Sequence, residues 1–269
     1  MKVEKLGFAV FTKPWGTLPL AQLAEKVHAW GFHGIEFPLR DGFQVEPRNA
    51  RKGLLALCRV MGEYGLRVYS VASSTEEPIF AACAEAGVPM IRIMLDYDPE
   101  AGFRESEKRI RTYLEGLLPL CETYGVKVGI QPHSGKTRVK SAAGLLRFLE
   151  GLPPQHIGAI WDAAHDALCG EGPEIGIDML GDYLCMVNLK NAYYQRLGEP
   201  SADGEAKWKS FFTTARDGMA SWSQAAETLI RRSYEGVICL TAEYSDETRI
   251  DEYIAQDLAY AKKLFRVTT

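Results

Sequence analysis

Residues 105–131 read ESEKRIRTYLEGLLPLCETYGVKVGIQ, and this stretch contains the unit from which the fold is built. Its first part repeats apolar residues with a period of about 3.6, which predicts an amphipathic helix. Gly125 follows the last periodic residue, where a left-handed C-cap favours glycine. The β-branched run VKVGIQ then predicts a buried strand over 126–131. The stretch therefore predicts one helix–glycine–strand unit.

The same unit recurs along the whole chain. Six helical segments each end in a glycine, at Gly31, Gly65, Gly87, Gly125, Gly151 and Gly236. Strands are predicted over 5–11, 34–39, 66–72, 90–95, 126–131, 156–162, 184–190 and 236–244. Strands buried under crossover helices form a parallel sheet, and eight of them in roughly 250 residues match a (β/α)8 barrel in count and size. A doubly wound open sheet is the alternative architecture.

No linker, low-complexity tract or change in composition divides the chain, so we expect a single domain over residues 1–269. Charged residues make up 25% and hydrophobic residues 46%, which is typical of globular proteins. The net charge of −4 disfavours nucleic acid as a partner, because phosphate binding needs a basic face. Six scattered cysteines without a CxxC pair, no leader-like N-terminus and no long apolar run predict a reduced, cytoplasmic protein with no membrane partner. The sequence leaves open whether the protein forms a homo-oligomer.

The longest stretch without clear periodicity covers residues 192–221, directly after the seventh predicted strand. Long irregular connections in compact folds are usually functional loops or disordered insertions. Because this one follows the C-terminal end of a strand, where barrel enzymes keep their active sites, we interpret it as a lid or a substrate contact.

Polar residues at the C-terminal ends of the predicted strands are the candidates for chemistry. Asp162 closes an apolar strand and His165 follows three residues later, an arrangement that is costly to bury without a purpose. Lys190 ends another apolar strand and could stabilise a developing enolate oxygen, or form a buried ion pair with Asp162 or Glu243. The candidate catalytic residues are Glu36, His133, Asp162, His165, Lys190 and Glu243.

A second group of strand-end residues is predicted to contact the substrate. Arg40 and Arg92 could hold an anionic group or pair within the protein, and the aromatic residues could stack on a sugar ring. The candidate substrate-binding residues are Lys13, Trp15, Arg40, Arg92, Gln131, Asn188 and Tyr244. No GxGxxG after a strand, P-loop, HExxH or GxSxG motif is present, so nucleotide-binding and serine-hydrolase functions lack their usual support.

Five segments carry a resemblance to a known family. In order and spacing, GFHGIEFPLR (31–40), VKVGIQPHSG (126–135), IGAIWDAAHDA (157–167), VNLKN (187–191) and GVICLTAEY (236–244) resemble the xylose-isomerase-like TIM barrels. That family includes sugar isomerases, sugar epimerases, inosose dehydratases and hydroxypyruvate isomerases. The resemblance implies one divalent metal, Mn, Mg, Co or Zn, held by a Glu, an Asp, a His and a second Glu.

The metal-ligand positions of the family are mostly altered in this chain. They fall on Gln131, Asp162, Asn188 and Thr241, so only the aspartate is retained. Replacing two carboxylates and an imidazole removes the charge and basicity that hold a divalent cation. We therefore expect an altered or absent metal site. A shifted site built from Asp162, Glu243 and His133 is the alternative.

The resemblance implies an isomerase or epimerase that acts on a small keto-sugar, polyol or sugar acid by proton transfer beside a carbonyl. Such a reaction needs a base, an acid and a group that stabilises the enediolate. We assign Glu36 or Glu243 as the base, His133 or His165 as the acid and Lys190 as the oxyanion partner. A non-catalytic carbohydrate-binding barrel and a dehydratase or lyase are the alternatives. The small number of histidines, five, and the negative net charge disfavour the endonuclease branch of the fold.

Overall fold

A closed barrel of eight parallel strands forms the centre of the computed structural model, which describes residues 6–199 and 204–267. The barrel strands are β1 (Gly7–Phe11), β2 (Gly34–Pro38), β3 (Arg67–Ala72), β4 (Met90–Ile93), β5 (Lys127–Ile130), β6 (Ile157–Asp162), β7 (Leu184–Leu189) and β10 (Val237–Leu240). Their order around the barrel is β1-β10-β7-β6-β5-β4-β3-β2, and β1 pairs with both β10 and β2. The predicted (β/α)8 barrel is confirmed, and the open-sheet alternative is wrong.

Helices follow the strands and surround the barrel. They are α1 (Leu20–Trp30), α2 (Ala50–Glu63), α3 (Glu77–Ala86), α4 (Gly102–Tyr124), α5 (Ser141–Leu149), α6 (Ala163–Leu168), α7 (Pro173–Leu180), α8 (Trp222–Arg231) and α9 (Ile250–Leu264). Five of the six predicted glycine caps have positive φ angles, as a left-handed helix end requires: Gly31, Gly65, Gly87, Gly125 and Gly151.

The sixth predicted cap, Gly236, is wrong. Helix α8 already ends at Arg231, and Ser233 has the positive φ of 54° there. Gly236 instead stands just before β10, where an added Cβ would lie 2.5 Å from the Tyr234 hydroxyl oxygen. Glycine is therefore favoured at this position by a close approach of the Tyr234 side chain.

The barrel interior changes from apolar to polar toward the C-terminal ends of the strands. An apolar cluster fills its centre and contains Ala9, Phe11, Ala72, Met90, Ile160, Met186 and Cys239. Alternate residues of a strand point to the same side, so Asn188 and Lys190 follow Met186 toward the mouth of the barrel. Glu36 pairs in register with Phe11 and Ser70, and Asp162 pairs with Asn188. The strand register therefore brings the polar strand ends to one level.

Residues 192–221, which lack clear periodicity in the sequence, largely form a regular element. Strands β8 (Asn191–Leu197) and β9 (Lys207–Thr213) make an antiparallel hairpin between β7 and α8. Backbone and side-chain atoms of Ser245 exchange hydrogen bonds with the backbone of Phe212, at 2.9 Å each, and attach the base of the hairpin to the segment after β10. Part of the predicted region, residues 200–203, lies outside the described residues.

Two further features concern the chain as a whole. Within the described ranges, no helix combines the length and the apolar character needed to cross a bilayer. The six cysteines are free thiols; Cys83, Cys121 and Cys239 are buried, whereas Cys169 is exposed.

Candidate functional site

A row of alternating charges crosses the mouth of the barrel, and it begins at the end of β2 with Glu36. This carboxylate is fully buried and accepts hydrogen bonds from Arg92 Nε at 2.7 Å and Ser70 Oγ at 3.0 Å. The guanidinium of Arg92 also lies 4.6 Å from the centre of the Phe11 ring. Burial alone would lower the pKa of Arg92, but the attraction of Glu36 outweighs it and raises the pKa. Arg92 is therefore a fixed cation inside the barrel.

Gln131 connects this ion pair to the next carboxylate. Its Oε1 accepts a hydrogen bond from Arg92 Nη1, and its Nε2 donates one to Asp162 Oδ2 at 2.6 Å. A glutamate here could accept from Arg92, but it would face Asp162 with a second negative charge. A side-chain amide offers an acceptor to Arg92 and a donor to Asp162, which explains why residue 131 is a glutamine.

Asp162 and Glu243 share one ammonium group, that of Lys190. Lys190 Nζ lies 3.7 Å from Asp162 Oδ2 and donates to Glu243 Oε2 at 3.0 Å. Lys13 donates to the other Glu243 oxygen, also at 3.0 Å. Burial alone would raise the pKa of both carboxyl groups, but the attraction of Lys190 together with the other charged and hydrogen-bonding neighbours outweighs it and lowers both. The pKa of Lys190 is raised, because these carboxylates outweigh its burial.

Two histidines stand beside this cluster, with ring centres 4.2 Å apart. His133 Nδ1 accepts a hydrogen bond from the Gly135 amide at 2.9 Å, and His165 Nδ1 accepts one from the Ser134 amide at 3.2 Å. Because a backbone amide can only donate, the neutral ring of each histidine carries its proton on Nε2. Burial, followed by repulsion from Lys190, lowers the pKa of both histidines, that of His165 to about 3. Both rings are therefore neutral at physiological pH.

The donor set does not fit the divalent metal that the family resemblance implies. Both oxygens of Asp162 and both oxygens of Glu243 already face N–H donors, including the ammonium groups of Lys190 and Lys13. Among the described residues, no three His, Cys, Asp or Glu side chains are grouped as a metal site. The predicted ligand set of Asp162, Glu243 and His133 is thus not arranged as a metal site, because Lys190 lies between the two carboxylates.

A cavity of about 650 Å³ opens over this cluster. Lys13, His133 and Glu243 line it from the barrel, and Lys209 and Phe212 line it from the hairpin. The Phe212 ring lies 5.0 Å from Lys190 Nζ and 6.0 Å from the centre of the His165 ring. The hairpin therefore covers the ammonium group at the edge of the cavity.

The structure brings most of the predicted site residues together. The assembled group comprises Lys13, Glu36, Arg92, Gln131, His133, Asp162, His165, Lys190 and Glu243. Arg40 lines a neighbouring cavity. The chemical roles assigned to these residues stay predictions.

Three predicted substrate contacts are placed differently. Trp15 is 8% exposed, donates to Asp251 Oδ1 at 2.8 Å and packs against Trp30, so its indole is engaged in the protein. Tyr244 lines the larger cavity, but its hydroxyl donates to Asp257 Oδ2 at 2.9 Å. Asn188 is fully buried, and its amide atoms have no protein partner among the described residues.

Several contacts in the site have no counterpart in the sequence-based prediction. Phe212 and Lys209 come from the hairpin, and the Ser134 amide orients His165. The alternation of KWKSFFT over 207–213 is a strand signal that could have located the hairpin residues. The position of the Ser134 amide depends on the loop conformation after β5 and has no such signal.

The cluster lies at the C-terminal mouth of a closed (β/α)8 barrel, the end at which barrel enzymes have their active sites. A family model described as xylose isomerase-like TIM barrel matches residues 24–264, and the chain belongs to this family. The resemblance stated from the sequence is confirmed.

Solved structures with the same fold include two sugar epimerases. D-allulose 3-epimerase from Methylomonas sp. has a TM-score of 0.72 at 15% identity, with 97% of this chain and 98% of that chain covered. The 3-keto-D-glucoside 4-epimerase from E. coli also has a TM-score of 0.72 at 15% identity, with 96% and 100% covered. At this identity the likeness establishes the fold alone.

In sequence, the chain is similar to inosose dehydratases. The protein from Bacillus velezensis is 27% identical over 153 residues, which are 55% of this chain and 49% of that protein. The one from Bacillus licheniformis is 25% identical over 162 residues, which are 58% and 51%. The matched stretches thus span about half the length of these relatives.

Proposed function

We propose that the protein is a sugar isomerase or epimerase that moves a proton beside a carbonyl and uses the Lys190 ammonium to stabilise the enediolate. The observation that carries this proposal is the position of Lys190 Nζ, which lies between Asp162 and Glu243 and is bonded to Glu243 where that residue lines the cavity. A fixed positive charge in a site shielded from water is the kind of group that stabilises a developing oxyanion. The family and the sugar epimerases of the same fold support the reaction class.

Glu243 is the base in this scheme. It lines the cavity and its side chain is 29% exposed, whereas Glu36 is fully buried and bonded to Arg92 and Ser70. In the free protein, Lys190 and Lys13 make Glu243 a weak base by lowering its pKa. A substrate oxygen that binds Lys190 competes with Glu243 for that ammonium, so substrate binding raises the basicity of the carboxylate.

His133 is the acid. It lines the same cavity, and the bond from Gly135 to its Nδ1 leaves the proton on Nε2, where it can be given to a substrate oxygen. His165 stands behind it and holds its own Nε2 proton without a partner among the described residues. Asp162 positions Lys190, and Gln131 fixes Asp162.

A dehydratase is the second candidate function. Elimination of water from a hydroxy-ketone starts with the same proton removal and then needs an acid for the leaving hydroxide. The neutral His133 and His165, both with Nε2 protons, suit that second step, and the two sequence relatives are inosose dehydratases. A non-catalytic barrel would bind such compounds without moving the proton.

Deuterium exchange tests the proposal whichever product the protein forms. Chelator-treated protein is incubated in D₂O with D-fructose, D-tagatose, D-psicose and 2-keto sugar acids, and NMR detects deuterium beside the carbonyl. We expect exchange with at least one compound, and a loss of about 10²- to 10³-fold in Lys190→Met. Lys108→Met, on the exposed face of α4, is the control.

Three outcomes decide between the candidates. The role of the ammonium would be overturned by exchange that appears only after a divalent metal is added. It would also be overturned by equal exchange rates in Lys190→Met and wild type. Loss of water detected by mass spectrometry would identify the dehydratase. Binding without exchange of any compound would identify the non-catalytic barrel.

A further inference from the structure

We propose that a second cavity beside the mouth of the barrel binds a carboxylate group of the substrate, so that the protein acts on a sugar acid. This inference rests on the proposed function and names its substrate class. The cavity measures about 270 Å³ and is lined by Arg40, Ser73, Ser74, Thr75, Arg92 and Arg138, among others. Its residues come from the C-terminal ends of β2, β3 and β4 and from the loop after β5.

The three arginines leave one positive charge without a partner. Arg92 is paired with Glu36 at 2.7 Å, and Arg138 is paired with Asp96 at 2.6 Å. Arg40 is half-buried, and none of the residues in the described ranges accepts a hydrogen bond or forms an ion pair with its guanidinium. A half-buried cation without a counter-ion is costly unless an anion joins it.

The electrostatics of Arg40 support the same conclusion about the cavity. Burial, followed by repulsion from Arg92 and a smaller repulsion from Arg138, lowers the pKa of Arg40, whereas Glu36 and Glu243 act in the opposite direction. The guanidinium stays protonated despite this, because its ordinary pKa is above 12. The repulsion between the arginines would be relieved by a bound anion.

Two residues that line the cavity carry hydrogen-bond donors without a protein partner among the residues that the structure describes. Arg92 donates through Nε to Glu36 and through Nη1 to Gln131, which leaves Nη2 without a partner in the described part of the chain. The Ser73 hydroxyl is buried and also has no partner there. A carboxylate has two oxygens with several lone pairs, so it can accept from a guanidinium fork and a hydroxyl together.

Charge favours a carboxylate over a phosphate. Arg40, Arg92 and Arg138 carry three positive charges against the two of Glu36 and Asp96, and the balance of one positive charge matches a monoanion. A phosphate monoester carries a charge of about −1.5 to −2 at neutral pH and would leave a negative excess.

A chain of hydrogen bonds links the lining of this cavity to the proposed reaction site. Arg92 bonds to Gln131, and Gln131 bonds to Asp162 beside Lys190. Glu243 is near enough to Arg40 to affect its pKa. A substrate held by its carboxylate at Arg40 and Arg92 can therefore extend its carbonyl toward Lys190, and fixing one end of a substrate promotes reaction at the other.

Matched ligands test the inference. Isothermal titration calorimetry compares glucuronate, glucose and glucose 6-phosphate, and then the galactose series, so that only the group at the last carbon changes. We expect the uronate of at least one series to bind about tenfold or more tightly than the neutral sugar, and less tightly as salt is added. Equal affinities for all three would overturn the inference, and a tighter sugar phosphate would replace the carboxylate with a phosphate.

Variants locate the binding and separate it from catalysis. Arg40→Gln should lower uronate affinity to that for the neutral sugar, whereas Arg67→Gln, exposed at the opposite end of β3, should not change it. Equal uronate affinity in these two variants would contradict the inference. Lys190→Met should keep the preference for the uronate over the neutral sugar while losing deuterium exchange. Uronate binding by a wild-type protein that exchanges no compound would leave the carboxylate site standing and overturn the proposed isomerase.

Discussion

Gln131 is held between a guanidinium and a carboxylate, so its two amide atoms cannot exchange places without losing both bonds. Gln131→Glu would remove the donor to Asp162 and place a second carboxylate beside it. We expect the free energy of unfolding at pH 7 to fall by about 2–4 kcal/mol, measured by urea denaturation. The repulsion raises the pKa of the new carboxyl group, so the loss should shrink near pH 5, where that group is protonated.

Gln131→Met is the matched variant, because it removes both bonds and adds no charge. Its loss of stability should stay nearly the same between pH 7 and about pH 5. A Gln131→Glu protein as stable as wild type at pH 7 would contradict the bridging role. A variant that is stabilised by added Mn or Co would show that one restored carboxylate is enough to displace Lys190 from between Asp162 and Glu243.

Ala242 has a φ angle of 51°, the left-handed region that residues with a Cβ avoid, and it immediately precedes Glu243. That conformation costs an alanine about 1–2 kcal/mol. Ala242→Gly should therefore raise the free energy of unfolding by up to about 1 kcal/mol, part of the gain being offset by the larger entropy of glycine in the unfolded chain. Chemical denaturation measures this change, and a destabilised variant would show that packing of the methyl group outweighs the strain.

The same substitution should slow deuterium exchange by about tenfold, because a freer backbone places Glu243 less accurately relative to Lys190. Gly170 offers the reverse comparison. It also has a positive φ, of 81°, and stands after α6 with open space around it, so Gly170→Ala should lower stability without slowing exchange once the protein is folded. Unchanged exchange in Ala242→Gly would mean that the backbone turn does not control the base.

The β8–β9 hairpin is the element that covers the site, through Phe212. Truncation to Phe212→Ala would admit water around Lys190 and weaken the field that its ammonium exerts on a substrate oxygen. We expect kcat for exchange to fall by about tenfold while the fold is retained. Trp208→Ala, on the same hairpin but 59% exposed, is the control and should leave exchange unchanged. Equal rates in both variants would exclude a covering role for Phe212.

Helices and strands that follow a repeated local sequence pattern could be predicted. Elements whose position depends on tertiary contacts could not. The barrel follows from the helix–glycine–strand unit, because both the positive φ of glycines such as Gly125 and the burial of the strands leave local patterns. The start of the hairpin leaves no local signal, because a single residue separates β8 from β7 and the outer part of β8 is exposed, whereas β9 carries the alternation of residues 207–213. The left-handed residue after α8 is Ser233 and not Gly236, and a positive φ at a serine has no signal in the sequence.

In the candidate site, too, some features could be predicted from the sequence and others could not. The side chains at strand ends, such as Asp162, Lys190 and Glu243, could be found from sequence, since position on a barrel strand determines that they meet. Their partners could not, because hydrogen bonds such as Gln131 to Asp162 depend on strand register and rotamers. Register shifts add to this difficulty: one lies between Ile35 and Glu36 in the β2–β3 pair, and one lies between Ala159 and Ile160 in the β6–β7 pair.

The buried titratable groups of the site make the free energy of unfolding of the whole protein depend on pH. Burial, and then repulsion from Lys190 and His133, lowers the pKa of His165 to about 3, while Asp162 and Glu243 act in the opposite direction. An unfolded histidine has a pKa near 6.5. Between these values the unfolded chain binds one proton more than the folded protein, so stability falls as the pH falls.

The slope from one such histidine is at most about 1.4 kcal/mol per pH unit. His133 and His33 also have lowered pKa values and act in the same direction. The carboxyl groups of Asp162 and Glu243, whose pKa values are lowered as well, lose their stabilising charge only below the ordinary carboxyl pKa of about 4.

Burial raises the pKa of Asp257 to about 6 and that of Asp166 well above its usual range, and both act in the direction opposite to the histidines between pH 6.5 and about pH 5. In this window, only the difference between a histidine variant and the wild type therefore reports on that histidine.

We expect the change in the free energy of unfolding per pH unit across that window to be more positive in the wild type than in His165→Gln, by up to about 1 kcal/mol per pH unit. His28→Gln, exposed on α1, is the control and should keep the wild-type slope. Urea denaturation at several pH values measures all three proteins. If His165→Gln and His28→Gln have the same slope, the pKa of His165 is not lowered in the folded protein, and the inference of a neutral ring that accepts from the Ser134 amide through Nδ1 is overturned.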